Sequence, residues 1–331
     1  MNPDNPIELQ QGAFRGCNKL SNLEGYFCIQ GSEVFRNCSE LSFKREEQNN
    51  GINEGQTNLM FDTESLYYEF ENCYSLTYAD FKYIMLQLND TVTTLEGAFK
   101  SCSGIAGAVW RDMFINCPNV TTMEEAFDGT GLSGIFYSRG EDNGILDYCP
   151  NLINTTRAFA STQLEWIDNN IFSPNGNTYS SLVVVDGMFQ NCGLLKSAED
   201  TRADIIVEGY LESETFFTNL RNLLTPFPKY MFYGCSGVKM HINTDSSGNT
   251  LLFHTLSNTE TIDILDDSLY SGITLEGEIL PNVFGGITQQ LDDWFIPTIY
   301  SIHNPFVSSR GAYVYLSKME NIFTNMAPIL K

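Results

Sequence analysis

Phe114-Ile115-Asn116-Cys117-Pro118-Asn119-Val120-Thr121-Thr122-Met123-Glu124-Glu125-Ala126-Phe127 shows how this chain is built. A Phe is followed three residues later by Cys and three after that by an apolar residue. A short β-branched run then leads to the next Phe. The pattern recurs as GAFRGCNKL (Phe14, Cys17), EVFRNCSEL (Phe35, Cys38), YEFENCYSL (Phe70, Cys73) and GAFKSCSGI (Phe99, Cys102). It returns as GILDYCPNL, with Leu146 for Phe ahead of Cys149, as GMFQNCGLL (Phe189, Cys192) and as YMFYGCSGV (Phe232, Cys235). Eight of the nine cysteines therefore occupy one slot, and only Cys28 stands outside it. AFDGTGL (Phe127) and AFASTQL (Phe159) place Thr in that slot, and FFTNLRNL (Phe217) and LFHTLSNT (Phe253) place Leu there. Cysteines so distributed are a repeat signal.

Two subsets separate. One has anchors at Phe70, Phe99, Phe127, Phe159, Phe189 and Phe217, in steps of 29, 28, 32, 30 and 28. Between them fall Phe81, Phe114, Leu146 and Phe172. The unit is thus a coil of about thirty residues made of two similar halves. Residues three apart share a face of a helical turn, so each Phe and its Cys are expected to point inward from a short helix. Glu96, Glu124, Glu125 and Asp186 just before the Phe suit the start of such a helix. Runs such as Val120–Met123 and Leu182–Val185 read as short strands. The expected fold is α/β: a leucine-rich-repeat-type solenoid of short parallel strands alternating with short helical turns. No half could bury its apolar face alone, but stacked neighbours make one core. That core is expected to contain Phe14, Cys17, Phe35, Cys38, Phe70, Cys73, Phe99, Cys102, Phe114, Cys117, Phe127, Phe159, Phe189, Cys192, Phe232 and Cys235.

Polar insertions interrupt the repeat at Ser42–Asn58, Tyr137–Gly144, Ser173–Ser181, Ser197–Glu214 and His241–Thr250. Their Gly, Asn, Asp and Ser content marks surface loops, and solenoids often bind through such insertions. Residues 1–258 form the expected solenoid. Residues 259–331 carry only faint copies, around Phe284 and Phe323, and form the expected cap or docking region. Trp294, Phe295, Tyr300, Phe306, Tyr313 and Tyr315 in that tract are candidates for a partner interface, because aromatic residues are enriched there, or for a hydrophobic cap. At the other end the repeat begins at Phe14 with no room for a capping unit. Packing on another chain, or a longer parent polypeptide, is the expected explanation.

Eighteen Lys and Arg against 41 Asp and Glu give a net charge of −23, which argues against a nucleic-acid partner. No apolar run approaches the roughly 20 residues of a membrane span. The Met-Asn-Pro-Asp-Asn-Pro start has neither a basic nor an apolar region, so no signal peptide is expected.

Candidate chemistry is sparse. No C-x-x-C or His-rich cluster points to a metal or a redox centre. The cysteines read as buried free thiols filling tight corners. Asp266-Asp267 and Asp292-Asp293 are considered as the acid and base of a glycosidase, but neighbours on a strand point opposite ways. His241, His254 and His303 have no nucleophile at motif spacing. Asn243–Asn249 lacks the closing Glu of a calcium loop and reads as a solvated turn. The glycosylation sequons at Asn37, Asn89, Asn119 and Asn154 read as coincidence. No catalytic, cofactor or metal residue is assigned.

DMFINCPNVTTMEEAFDGTGL, GILDYCPNLINTTRAFASTQL and PKYMFYGCSGV resemble the BspA-like leucine-rich repeats. This is the cysteine-containing variety found in surface proteins of Bacteroides-type bacteria, their phages and some mucosal protists. The resemblance covers residues 10 to 258 and extends weakly to the C-terminus. It implies a non-enzymatic binding or structural protein, without common catalytic residues, that contacts protein subunits, host protein or glycan. Without a visible signal peptide or anchor, a virion component that reaches a surface by assembly is favoured over a bacterial adhesin. A pure spacer subunit and, further behind, a glycan-cleaving enzyme are the alternatives.

Overall fold

The structure, a computed structural model, describes residues 5–43, 57–137, 144–172, 182, 184–200, 206–209, 211–212, 216, 231–235, 237–241, 273–277 and 314–316. The described elements are mixed α/β, with parallel sheets and few helices. Strands β1 (Ile7–Leu9), β2 (Gly25–Ile29) and β3 (Thr57–Phe61) form one parallel sheet in chain order. In a second sheet, β4 (Ala106–Ala108), β5 (Gly131–Ile135), β6 (Gln163–Ile167) and β7 (Lys196–Asp200) are parallel, and β8 (Val207–Glu208) closes it antiparallel. A third contains β9 (Leu211–Glu212), β10 (Val238–His241), β11 (Ile273–Gly277) and β12 (Val314–Leu316), all parallel.

A separate file of single parallel bridges links Ser65, Thr94, Thr122, Asn154 and Val184. Where the sequence reads whole strands at 120–123 and 182–185, one bridging residue, Thr122 or Val184, makes the pairing. Thr93 and Thr121 strengthen this file: their hydroxyls donate to the Glu64 and Thr93 carbonyls one level back.

The core is one cluster running from Leu9 to Val238. Its axis is a file of stacked rings: Phe14, Phe35, Phe70, Phe99, Phe127, Phe159, Phe189 and Phe232. Successive centroids lie between 5.1 Å (Phe127–Phe159) and 6.3 Å (Phe159–Phe189) apart. Offset stacking of this kind suits the ring quadrupoles and adds to simple area burial. The last step corrects the expected register. Phe232, not Phe217, stacks on Phe189, at 5.9 Å and 5°. The step between these two stacked anchors is 43 residues (232 − 189), and Phe217 lies outside the described residues.

The helical expectation holds at two anchors, both in the second subset, while Phe114 and Phe172 of that subset lie in turns. Phe81 lies on helix α1 (Tyr78–Gln87), and Leu146 lies in a 3-10 helix over Ile145–Tyr148. Thr77 caps α1 reciprocally: its hydroxyl accepts from the Asp80 amide at 3.2 Å, and the Asp80 carboxylate accepts from the Thr77 amide at 3.0 Å. The Asp80 carboxylate also accepts from the Ser42 hydroxyl and the Phe43 amide, which ties the helix to the level before it. The other subset, from Phe14 to Phe232, is not helical. Among the described residues its turns carry left-handed residues two before the Phe, from Gly12 to Gly187, and two after it, from Gly16 to Gly234, a conformation that breaks any helix.

Candidate functional site

The feature that sets this chain apart is the ridge built by those left-handed turns. Two residues before the Phe, positive φ occurs at Gly12, Glu33, Tyr68, Gly97, Glu125, Arg157 and Gly187. Two residues after it, positive φ occurs at Gly16, Asn37, Asn72, Ser101, Gly129, Ser161, Asn191 and Gly234. Alternating handedness sends successive amides to different partners. The Phe70, Phe99, Phe127 and Phe159 amides donate to the Ala98, Ala126, Ala158 and Met188 carbonyls of the next turn, at 2.8 to 3.0 Å. The Asn72, Ser101, Gly129 and Ser161 amides do the same to Lys100, Asp128, Ala160 and Gln190. The slot residue instead bonds within its turn, as when Cys102 N–H donates to the Phe99 carbonyl at 3.1 Å. Polar backbone is thus satisfied in a buried setting without helix or continuous strand.

The slot has a chemical reason that size alone does not give. In the Phe14–Phe232 subset the buried thiols donate to the anchor carbonyl one turn back: Cys38 to Phe14 at 3.0 Å, Cys73 to Phe35 at 3.1 Å, Cys102 to Phe70 at 2.9 Å. Cys192 to Phe159 and Cys235 to Phe189 repeat it at 3.1 and 3.0 Å. In the other subset Cys149 donates to the Cys117 carbonyl instead, at 3.4 Å. A small apolar residue with one weak donor fits this position. Thr130 and Thr162 substitute by donating to their own anchor carbonyls, Phe127 and Phe159, each at 2.9 Å. All nine cysteines are free. Burial pushes the Cys38 thiol up to about 11 and Cys117 up to about 12, so neither is a nucleophile.

Two members of the expected core depart from it. Cys17 is exposed and Phe14 is only half-buried. Among the described residues their turn has a stacked neighbour on one side only, so Phe14 stacks on Phe35 and Cys17 has no earlier turn to cover it. The remaining expected core residues are buried.

Charged side chains from the left-handed positions and from the residue after each Phe brace the ridge. Glu33 takes Arg15 and Arg36, both at 2.9 Å, and Arg36 also pairs with Glu71. The Arg36 guanidinium lies 4.7 Å above the Tyr68 ring. Tyr68 lies across Gly97 and donates through its hydroxyl to Glu125 at 3.2 Å, two turns on. Glu125 also pairs with Lys100. Arg157 reaches Asp128 at 2.7 Å and Gln190 at 2.5 Å. Bulky residues in left-handed backbone cost about 1–2 kcal/mol each. Four of them, Glu33, Tyr68, Glu125 and Arg157, are anchored to this rail. The acidic residues before each Phe do not cap helices. The Glu96 and Glu124 amides donate to the Thr94 and Thr122 hydroxyls, and burial with neighbouring Glu124 and Glu125 raises the Glu96 pKa.

The other candidates of the sequence distribute as follows. Asn89, Asn119 and Asn154 use their side-chain amides internally, donating to Phe61, Asp90 and Glu124, and Asn37 accepts from Asn72. Asn151, after Cys149 and Pro150, reaches back to the Pro118 carbonyl as Asn119 reaches to Asp90, which explains the recurring Cys-Pro-Asn. Cys28 is buried on β2. His241 lies on β10 and Tyr315 on β12. Trp294, Phe295, Tyr300, Phe306, Tyr313, His254, His303, both Asp pairs and 243–249 lie outside the described residues, as does most of every insertion except Ser197–Glu214. That segment is not simply the expected surface loop: it supplies most of β7 and all of β8 and β9, and its Ala198 and Leu211 are buried because they face the core.

Among the described residues no three His, Cys, Asp or Glu side chains are grouped to hold a metal ion. No helix among them is long and apolar enough to cross a membrane. No protein-family model, curated protein or solved structure matches the chain.

Proposed function

We propose that this chain is a non-enzymatic binding or structural protein: a leucine-rich-repeat-type solenoid of the BspA-like kind, serving as a virion surface component or an adhesin. The observation that carries this reading is the use of the repeat's own side chains. Phe, Cys and the ridge charges are engaged with neighbouring turns, from the Phe stack to the Arg157–Asp128 pair. That leaves recognition to what is inserted between turns, and such insertions commonly form the binding face of repeat proteins. The partners we propose are other subunits of an assembly, or a host surface protein or glycan.

Immobilised purified protein tested against a panel of glycans and matrix proteins examines this directly. Saturable binding that is lost when residues 44–56, between the buried Phe43 and strand β3, are replaced by a short Gly-Ser linker supports the reading. No binding across the panel supports a spacer subunit instead. Release of reducing ends from a polysaccharide, above a heat-treated control, contradicts the non-enzymatic assignment.

A further inference from the structure

Glu69 immediately precedes the anchor Phe70, a position held by Val34, Ala98, Ala126, Ala158, Met188 and Met231 in the other buried turns. Its side chain is 0% exposed. Oε2 accepts from the Val34 amide at 3.1 Å, and Oε1 has no hydrogen-bond partner. A carboxylate so placed would hold a charge on one neutral donor, which burial strongly disfavours.

The charged groups on the surrounding turns do not relieve it. On the preceding turn, Glu33 adds a like charge and is itself taken by Arg15 and Arg36. Arg36 goes on to Glu71 on Glu69's own turn, and Lys100 on the following turn is engaged by Glu125. Glu96 on that turn is another acid, and Cys38 and Cys73 are buried thiols. No ion pair among the described residues reaches Glu69.

We propose that Glu69 is a pH-responsive latch between the second and third turns, tight while its carboxyl is protonated and loosened when it ionises. The joint it would act on is local. The Phe35 amide donates to the Glu69 carbonyl at 3.2 Å and the Asn37 amide to Glu71 at 2.8 Å, beside the Phe35–Phe70 stack. Burial, with Glu33 adding to it, pushes the Glu69 carboxyl up to about 8. The folded joint thus holds a proton that the opened joint gives up. Its tightness is complete below the ordinary carboxylate range. It declines as pH rises towards about 8 and levels off above that.

Hydrogen exchange of the Phe35 and Asn37 amides in the full chain, from pH 5.5 to 8.5, tests the latch against Glu69→Gln. Comparison at each pH removes the intrinsic pH dependence of exchange. The opening constant of the parent, relative to Glu69→Gln, should grow about tenfold per pH unit up to 7.5 and then flatten. Glu69→Ala, the residue found at Ala98, should give the same trend with a constant offset for the lost Val34 bond. It keeps the test open if the Gln variant does not fold. A ratio that stays constant across this range overturns the proposal.

Discussion

Phe127→Ala is the sharpest test of the packing. Phe127 is fully buried and meets four rings: Phe99 at 5.8 Å and Phe159 at 5.1 Å on its two faces, Phe81 edge-on at 5.9 Å and Phe114 tilted at 5.9 Å. Losing a buried Phe side chain costs about 3–5 kcal/mol including the cavity left behind. Each lost aromatic pair adds about 0.5–1.5 kcal/mol beyond area burial. Four pairs, with both halves of the coil meeting at this ring, place the expected loss near the top of that range, about 4–5 kcal/mol. Guanidinium unfolding reads it as a fall in midpoint at unchanged slope. Ile115→Ala is the control: Ile115 is next to a buried anchor but 49% exposed, and should change stability by no more than about 0.5 kcal/mol. A loss under about 1 kcal/mol at Phe127, or equal losses at the two positions, would refute the stacked core.

Gly97→Ala should destabilise by about 2 kcal/mol or more, because Gly97 has φ +59 and a Cβ there would come within 2.4 Å of the Tyr68 ring. Gly193→Ala, with nothing within 4 Å, should be neutral in the same thermal melt. Arg157→Ala should cost about 1 kcal/mol, discounted for its partial exposure, and raising salt should shrink the gap to the parent. Ellman's reagent should titrate one thiol, Cys17, in the folded protein and nine in denaturant. Fast reaction of several thiols in the folded state would contradict the sulfur ladder.

Much of the architecture was legible in the Phe and Cys spacing, because an inward-facing side chain must recur each time the chain returns to the core. The steps of 29, 28, 32 and 30 between sequence anchors are the spacings of the bridged residues Ser65, Thr94, Thr122, Asn154 and Val184. Local geometry was misread because a three-residue spacing fits both a helical turn and an alternating left-handed turn. The distinguishing signal is the residue before the Cys, which is Gly, Asn or Ser in every left-handed turn, as at Gly16, Asn72 and Ser101. Even that signal is incomplete: Asn116 precedes Cys117 yet is not left-handed. The ridge charges could not be found by spacing at all. Tyr68 and Glu125 lie 57 residues apart in sequence and meet only because Gly97 leaves room between them. The register after Phe189 failed for a similar reason, since Phe217 keeps the period while Phe232 holds the place in the stack.

The central claim is that the Phe turns are joined to one another by their backbones and are not separate helical turns. Amide exchange at Phe70, Phe99, Phe127 and Phe159 measures this most directly, since each amide donates to the turn that follows. The stacked arrangement predicts strong, similar protection at all four, matched by Asn72 and Ser101. In an isolated helical turn these amides have no partner four residues back. Exchange near the intrinsic rate at those positions, with protection confined to the Cys amides, would contradict the account.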